Sequence, residues 1–148
     1  MNKGNGLIEI LIVVTILCII ATIVIPQFSA AGEEAKLSTL VSDLQTIRSQ
    51  IQLYKLQHNS ELPTKNGLTF EKAITRYTKA DSTLAKPQAP GDGVYGPYLH
   101  KIPKNAFNNS NVISTGTGTP SGDASSGWYF NITTGSFNAN DSAAHAAL

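Results

Sequence analysis

The chain has 148 residues, eleven basic against ten acidic side chains for a net charge of +1, and 41% hydrophobic residues. That is room for one small domain and excludes a multidomain enzyme. The absence of any block of like charge argues against nucleic acid as a first partner, and the single Cys18 excludes a disulfide framework or a multi-cysteine metal site.

From Leu7 to Ile25 the chain reads LIEILIVVTILCIIATIVI, ionisable only at Glu9 and Cys18. At ~1.5 Å per residue this run is roughly 28 Å long, close to the ~30 Å hydrocarbon core of a bilayer. With Lys3 ahead of it, the positive-inside rule leaves the N-terminus cytoplasmic and the rest outside. Three uses of such a run compete: a permanent anchor, a cleaved secretory signal with Ser29-Ala30-Ala31 near the cut, and a helix for assembly. The run is longer than a signal-peptide core and contains Glu9, which disfavours the second. Cys18 follows Leu17, not the small residue that lipidation requires, and reads as a buried apolar residue.

Glu9 discriminates among these readings. A carboxylate in hydrocarbon costs a few kcal/mol even on lenient scales, so it needs a proton or a partner. It can snorkel toward headgroups. Alternatively, a cut after Gly4 frees an α-amino group on Asn5, and in a helical stack the amine of one subunit can neutralise Glu9 of its neighbour.

Lys3-Gly4, Asn5-Gly6-Leu7-Ile8-Glu9, the apolar run from Ile10 to Val14 and Pro26 together resemble the type IV pilin and type II secretion pseudopilin superfamily. Its signature is a short basic leader ending in Gly, a glutamate fifth after the cut, a long apolar helix and a proline near this position. The resemblance implies cleavage between Gly4 and Asn5 by a prepilin peptidase, N-methylation of Asn5, and assembly through Glu9 and Pro26 into a helical homo-oligomeric filament. It also implies membrane lipid, an inner-membrane assembly platform and its ATPase machinery as partners. Asn5 and Gly6 stand where the family usually has Phe or Met and then Thr, which bears on the methylation. Cys18 replaces a frequent helix-loosening Gly, so the local melting that family filaments show before Pro26 would rest on the β-branched run Ile19 to Ile25 and on Pro26 itself.

Beyond Pro26, Leu37, Leu40, Leu44, Ile47, Ile51 and Tyr54 recur at helical spacing on one face, flanked by Val41, Leu53 and Leu56. The helix is expected to end near His58-Asn59, ahead of Leu62-Pro63. Thr69 to Tyr77 reads as a short second helix capped by Thr69. Gly96 to Phe107 resembles the "GPYL…P.NPF" segment of pseudopilin-like heads, with Ala106 for the second proline. Trp128–Ile132 and Ser136–Ala139 read as a hairpin turned at Thr134-Gly135, while Ser110 to Ser126 is an unassigned loop. The expected fold is α+β: a long N-terminal helix, membrane-spanning in its first half, whose second half packs against a small C-terminal antiparallel sheet with long loops. The expected divisions are a leader over 1–4, a transmembrane assembly helix over 5–28, its amphipathic half over 29–60 and a head over 61–148.

No catalytic pattern is present. His58, His100 and His145 lack HExxH spacing and are expected on the surface, and Thr115 to Thr119 lacks the lysine of a phosphate-binding loop. Similar major pseudopilins bind calcium through their C-terminal loop. Asn138, Asn140 and Asp141, with Asp123, are the oxygen donors the resemblance nominates here, against the alternative that Asn and Asp simply populate turns. The expected function is a structural subunit of a pilus-like filament or type II secretion pseudopilus, tilted to the latter by the small head without a cysteine pair. It would start as a single-pass inner-membrane protein with a periplasmic head and end in a periplasmic or extracellular filament. A membrane-anchored or Sec-secreted binding domain, and a competence-type pilin touching DNA through Lys101 and Lys104, are the alternatives.

Overall fold

The computed structural model describes residues 5–87 and 93–148. Gly4, on the N-terminal side of the expected cut, lies outside them. The chain divides into two units, Met1–Leu37 and Ser38–Leu148.

Helix α1, Asn5–Gln57, begins in the first unit and ends in the second. Helical backbone continues through Pro26, so the loosening anticipated there is not seen in this chain by itself. In the first unit the side chains of residues 7–25, 27 and 28 are exposed, with Leu7 at 76% and Phe28 at 77%. The helix is long and apolar enough to cross a membrane, and none of its most apolar stretch is buried.

In the second unit, Leu40, Leu44, Ile47, Ile51 and Tyr54 are all buried, as the 3-4 spacing requires. Leu37, expected on the same stripe, is exposed: it falls in the first unit, so the buried stripe starts at Leu40. Asn59 takes a left-handed φ of 51°, and the Ser60 N–H reaches back to the Lys55 carbonyl at 2.8 Å. This six-to-one bond satisfies one of the last helical carbonyls and turns the chain away.

Helix α2, Phe70–Thr75, starts where expected, with the Thr69 hydroxyl accepting from the Lys72 N–H. Two short strands follow, β1 (Thr78–Lys79) and β2 (Val94–Tyr95), paired antiparallel. The second sheet has the order β3-β4-β5, from Ile113–Gly116, Trp128–Asn131 and Phe137–Ala139. Strands β4 and β5 form the expected hairpin, whose turn is organised by Asn131: its Oδ1 accepts the N–H groups of Thr133 at 2.8 Å and Thr134 at 2.9 Å. Residues 110–126, expected as a loop, contain β3, which runs parallel to β4, so the sheet is mixed. A last helical turn, α3, covers Ala143–Ala146.

Trp128 and Phe130 face Ala139 and Phe137 across the ladder, and all four are buried. Phe70 lies 4.5 Å from Phe130 and 5.3 Å from Phe137, ring to ring, which joins α2, the sheet and the α1 stripe in one core. The Gly96–Phe107 segment contributes Tyr98 and Ile102 to that core, and its Pro103 carbonyl accepts the Trp128 indole N–H at 2.8 Å. The observed architecture is therefore the α+β arrangement of a long helix and small sheets.

Candidate functional site

Two places carry the residues of interest. The first is the start of α1. Glu9 is exposed and sits between Ile8 at 60% and Ile10 at 66% exposure. The ion pairs among the described residues are Lys65 with Glu61 and His145 with Asp141, so Glu9 has no described ion-pair partner within its own chain. Gly6, Glu9, Ile10 and Val13 line a shallow notch on one side of the helix, as positions three, four and seven apart must. Gly6 keeps it open, with nothing within 4 Å of where a Cβ would stand. The site is thus a single carboxylate on an apolar rod, beside an open notch. Asn5 is the first described residue of α1, and Pro26 lies further along the same helix.

The second place is the C-terminal part of the head. The nominated calcium donors go to different partners. Asn138 Nδ2 donates to the Ala146 carbonyl at 3.1 Å. Asn140 is buried against the 121–126 loop: its Oδ1 accepts the Gly122 N–H at 2.9 Å and the Ser121 hydroxyl at 3.3 Å, and its Nδ2 donates to Ser126 Oγ at 2.9 Å. Asp141 accepts from Asn105 Nδ2 at 2.7 Å on one oxygen and from His145 Nδ1 on the other. Asp123 accepts from the Ser125 hydroxyl and from the Ser125 N–H at 3.0 Å, and these bonds hold its carboxyl down at about 2. Asn140 and Asp123 are brought within 3.4 Å of each other, whereas Asn138 is held apart at α3. Among the described residues there is no group of three or more His, Cys, Asp or Glu side chains that could hold a metal ion.

Two histidines correct the surface expectation. His58 is fully buried, stacked on Tyr54 at 3.8 Å, with Nδ1 2.9 Å from the Tyr54 carbonyl and Nε2 3.0 Å from Thr78 Oγ1. Burial pushes its pKa below the ordinary value. His145 is partly buried and paired four residues on from Asp141. His100 is exposed as expected. Sequence reasoning also assigned no role to Asn105, which is completely buried and bonded through both side-chain ends. The signal was its place in a Pro-x-Asn turn with a backbone N–H donor two residues on.

No family model and no solved structure matches the chain. Curated proteins do. The type II secretion system core protein G of Dickeya chrysanthemi is 32% identical over 107 residues, 72% of this chain and 63% of its own length. That of Pectobacterium carotovorum subsp. carotovorum is 31% identical over 106 residues, 72% of this chain and 62% of its own. For the Pseudomonas aeruginosa protein of the same name the figures are 31% over 120 residues, 80% and 78%. The chain therefore spans less than two thirds of the length of the first two relatives and more of the third. With its acid-bearing apolar helix and small mixed α+β head, the chain belongs to the type II secretion system core protein G family of pseudopilins.

Proposed function

We propose that this chain is a structural, non-catalytic subunit of a type II secretion pseudopilus, cut after Gly4 and polymerised through α1. The observation that carries the reading is Glu9, exposed and without a described ion-pair partner on a helix otherwise apolar from Leu7 to Ile25. Alone in lipid it costs a few kcal/mol. A neighbour's Asn5 amine about 4 Å away, at an effective dielectric of about 20, returns about 4 kcal/mol, enough to cancel that cost. The notch beside Gly6 gives the incoming terminus room. Each added subunit thus removes a charge penalty from the one before, and the apolar surfaces from Leu7 to Phe28 cover one another.

In this reading the subunit waits in the inner membrane with its head in the periplasm. It passes from the prepilin peptidase to the assembly platform and its ATPase, and leaves the lipid as part of the filament. Asn5 is the residue that would be methylated, and Pro26 would mark where the helix adjusts on packing. Mass spectrometry of the protein purified from its host tests the first step. A chain starting at Asn5, with or without one methyl group, supports the proposal; a start near Gly32 indicates simple secretion, and an intact Met1 indicates a permanent anchor.

A further inference from the structure

The resemblance implies calcium in the C-terminal loop, and the donor set does not fit it. Calcium takes six to eight oxygens at about 2.3–2.6 Å, several of them carboxylate. Here the oxygens of Asp141 and Asn140 already accept from N–H and O–H donors, and the surface carboxylate of Asp123 accepts the Ser125 N–H and faces the Asn140 amide N–H at 3.4 Å. Asp141 is almost wholly enclosed, its side chain 4% exposed. One of its oxygens accepts from Asn105 Nδ2, the other from His145 Nδ1, which must carry the proton because a carboxylate only accepts. Asn140 Oδ1 faces the Gly122 N–H and the Ser121 hydroxyl. A cation placed on either side chain would have to displace these hydrogens, and Asp141 is too enclosed to offer an ion its remaining lone pairs.

We propose that the C-terminal end of this head is closed by a clasp of Asn105, Asp141 and His145 that takes the place of a calcium ion. Asn105 is its hub. Its Nδ2 donates both to Asp141 and to the Gly127 carbonyl at 2.9 Å, and its Oδ1 accepts the Phe107 N–H at 2.9 Å. His145 completes the closure by packing its ring, tilted by 41°, 4.2 Å from the Phe107 ring. The clasp therefore ties together three segments remote in sequence: the 105–110 loop, the start of β4 and the stretch from Asp141 into α3. Each of its bonds to the Asp141 carboxylate is charge-assisted, the stronger class of hydrogen bond. The head then closes at any calcium level, and the 137–148 segment needs no ion to be ordered. This inference concerns the head alone and stands or falls independently of cleavage and assembly at the arm.

The test uses the full chain in detergent micelles, melted with excess calcium chloride or with excess EDTA. The clasp predicts the same Tm in both, within about 1 °C, and a loss of about 4–8 °C in Asp141→Asn that is equal in calcium and in EDTA. His145→Gln, at the more exposed end, should lose less and in the same ion-independent way. A calcium-raised Tm in the wild type overturns the proposal, and so does an unchanged Tm in both variants. Should Asp141→Asn fail to fold, hydrogen exchange of residues 137–148 in the wild type decides. Equal protection in calcium and EDTA supports the clasp, and protection that appears only with calcium refutes it.

Discussion

Two substitutions on one helix, Ile47→Ala and Leu56→Ala, separate the face that holds the head together from the face that does not. Ile47 is fully buried between Leu44 and Ile51, whereas Leu56 is 82% exposed. Truncating Ile47 removes three carbons from the core, about 2.4 kcal/mol at about 0.8 kcal/mol each, and leaves a cavity that adds to it. A total of about 3–4 kcal/mol, in a unit of this size, lowers Tm by roughly 12–20 °C. Leu56→Ala should stay within about 0.5 kcal/mol, or about 3 °C. Near-ultraviolet circular dichroism follows the melt, because the one tryptophan, Trp128, is in the same core as Ile47. Equal losses from the two substitutions, or a larger loss from Leu56→Ala in the unassembled protein, would refute the assignment of the packed face.

Gly135 turns the β4-β5 hairpin at φ +77°, and an added Cβ would come within 2.6 Å of Leu62 Cδ2. Gly135→Ala should therefore cost about 1–2 kcal/mol in thermal or urea unfolding, mostly from the left-handed backbone, since Leu62 can move its tip. His58 makes stability depend on pH. Its folded pKa is lowered below the ordinary 6.5 by burial, so between those two values the unfolded chain binds more protons. The contribution is complete above about pH 6.5 and is lost as pH falls toward the folded value. Urea midpoints measured down from pH 7.5 should decline below pH 6.5, and His58→Gln should flatten that decline; an unchanged slope would show that another group carries it.

Much of this was legible in the residues because the physics was local. The apolar run, the 3-4 stripe from Leu40 to Tyr54, the Thr69 cap and the Thr134-Gly135 turn each depend on neighbours a few positions away. What escaped was long-range. Strand β3 has little apolar alternation in Ile-Ser-Thr-Gly and exists because β4, twelve or more residues on, offers it a parallel edge. His58 is buried by Thr78, Tyr95 and Tyr98, which no helical periodicity announces. Leu37 misled in the opposite sense: its spacing is right, but the packed stripe begins one turn later. At the candidate sites, Glu9 was conspicuous as one acid in an apolar run. Asn105, by contrast, takes its importance from Asp141 and Gly127, which lie far along the chain and converge on it only in the fold.

Whether Glu9 is matched by the freed terminus of an adjoining copy can be read from two substitutions at that position. Filaments should be counted by electron microscopy for wild type, Glu9→Ala and Glu9→Asp, with membrane insertion checked by fractionation. Insertion should be normal in all three, with no filaments from Glu9→Ala and partial assembly from Glu9→Asp, whose shorter side chain keeps the charge but stretches the pair. Filaments of normal yield from Glu9→Ala would contradict this pairing.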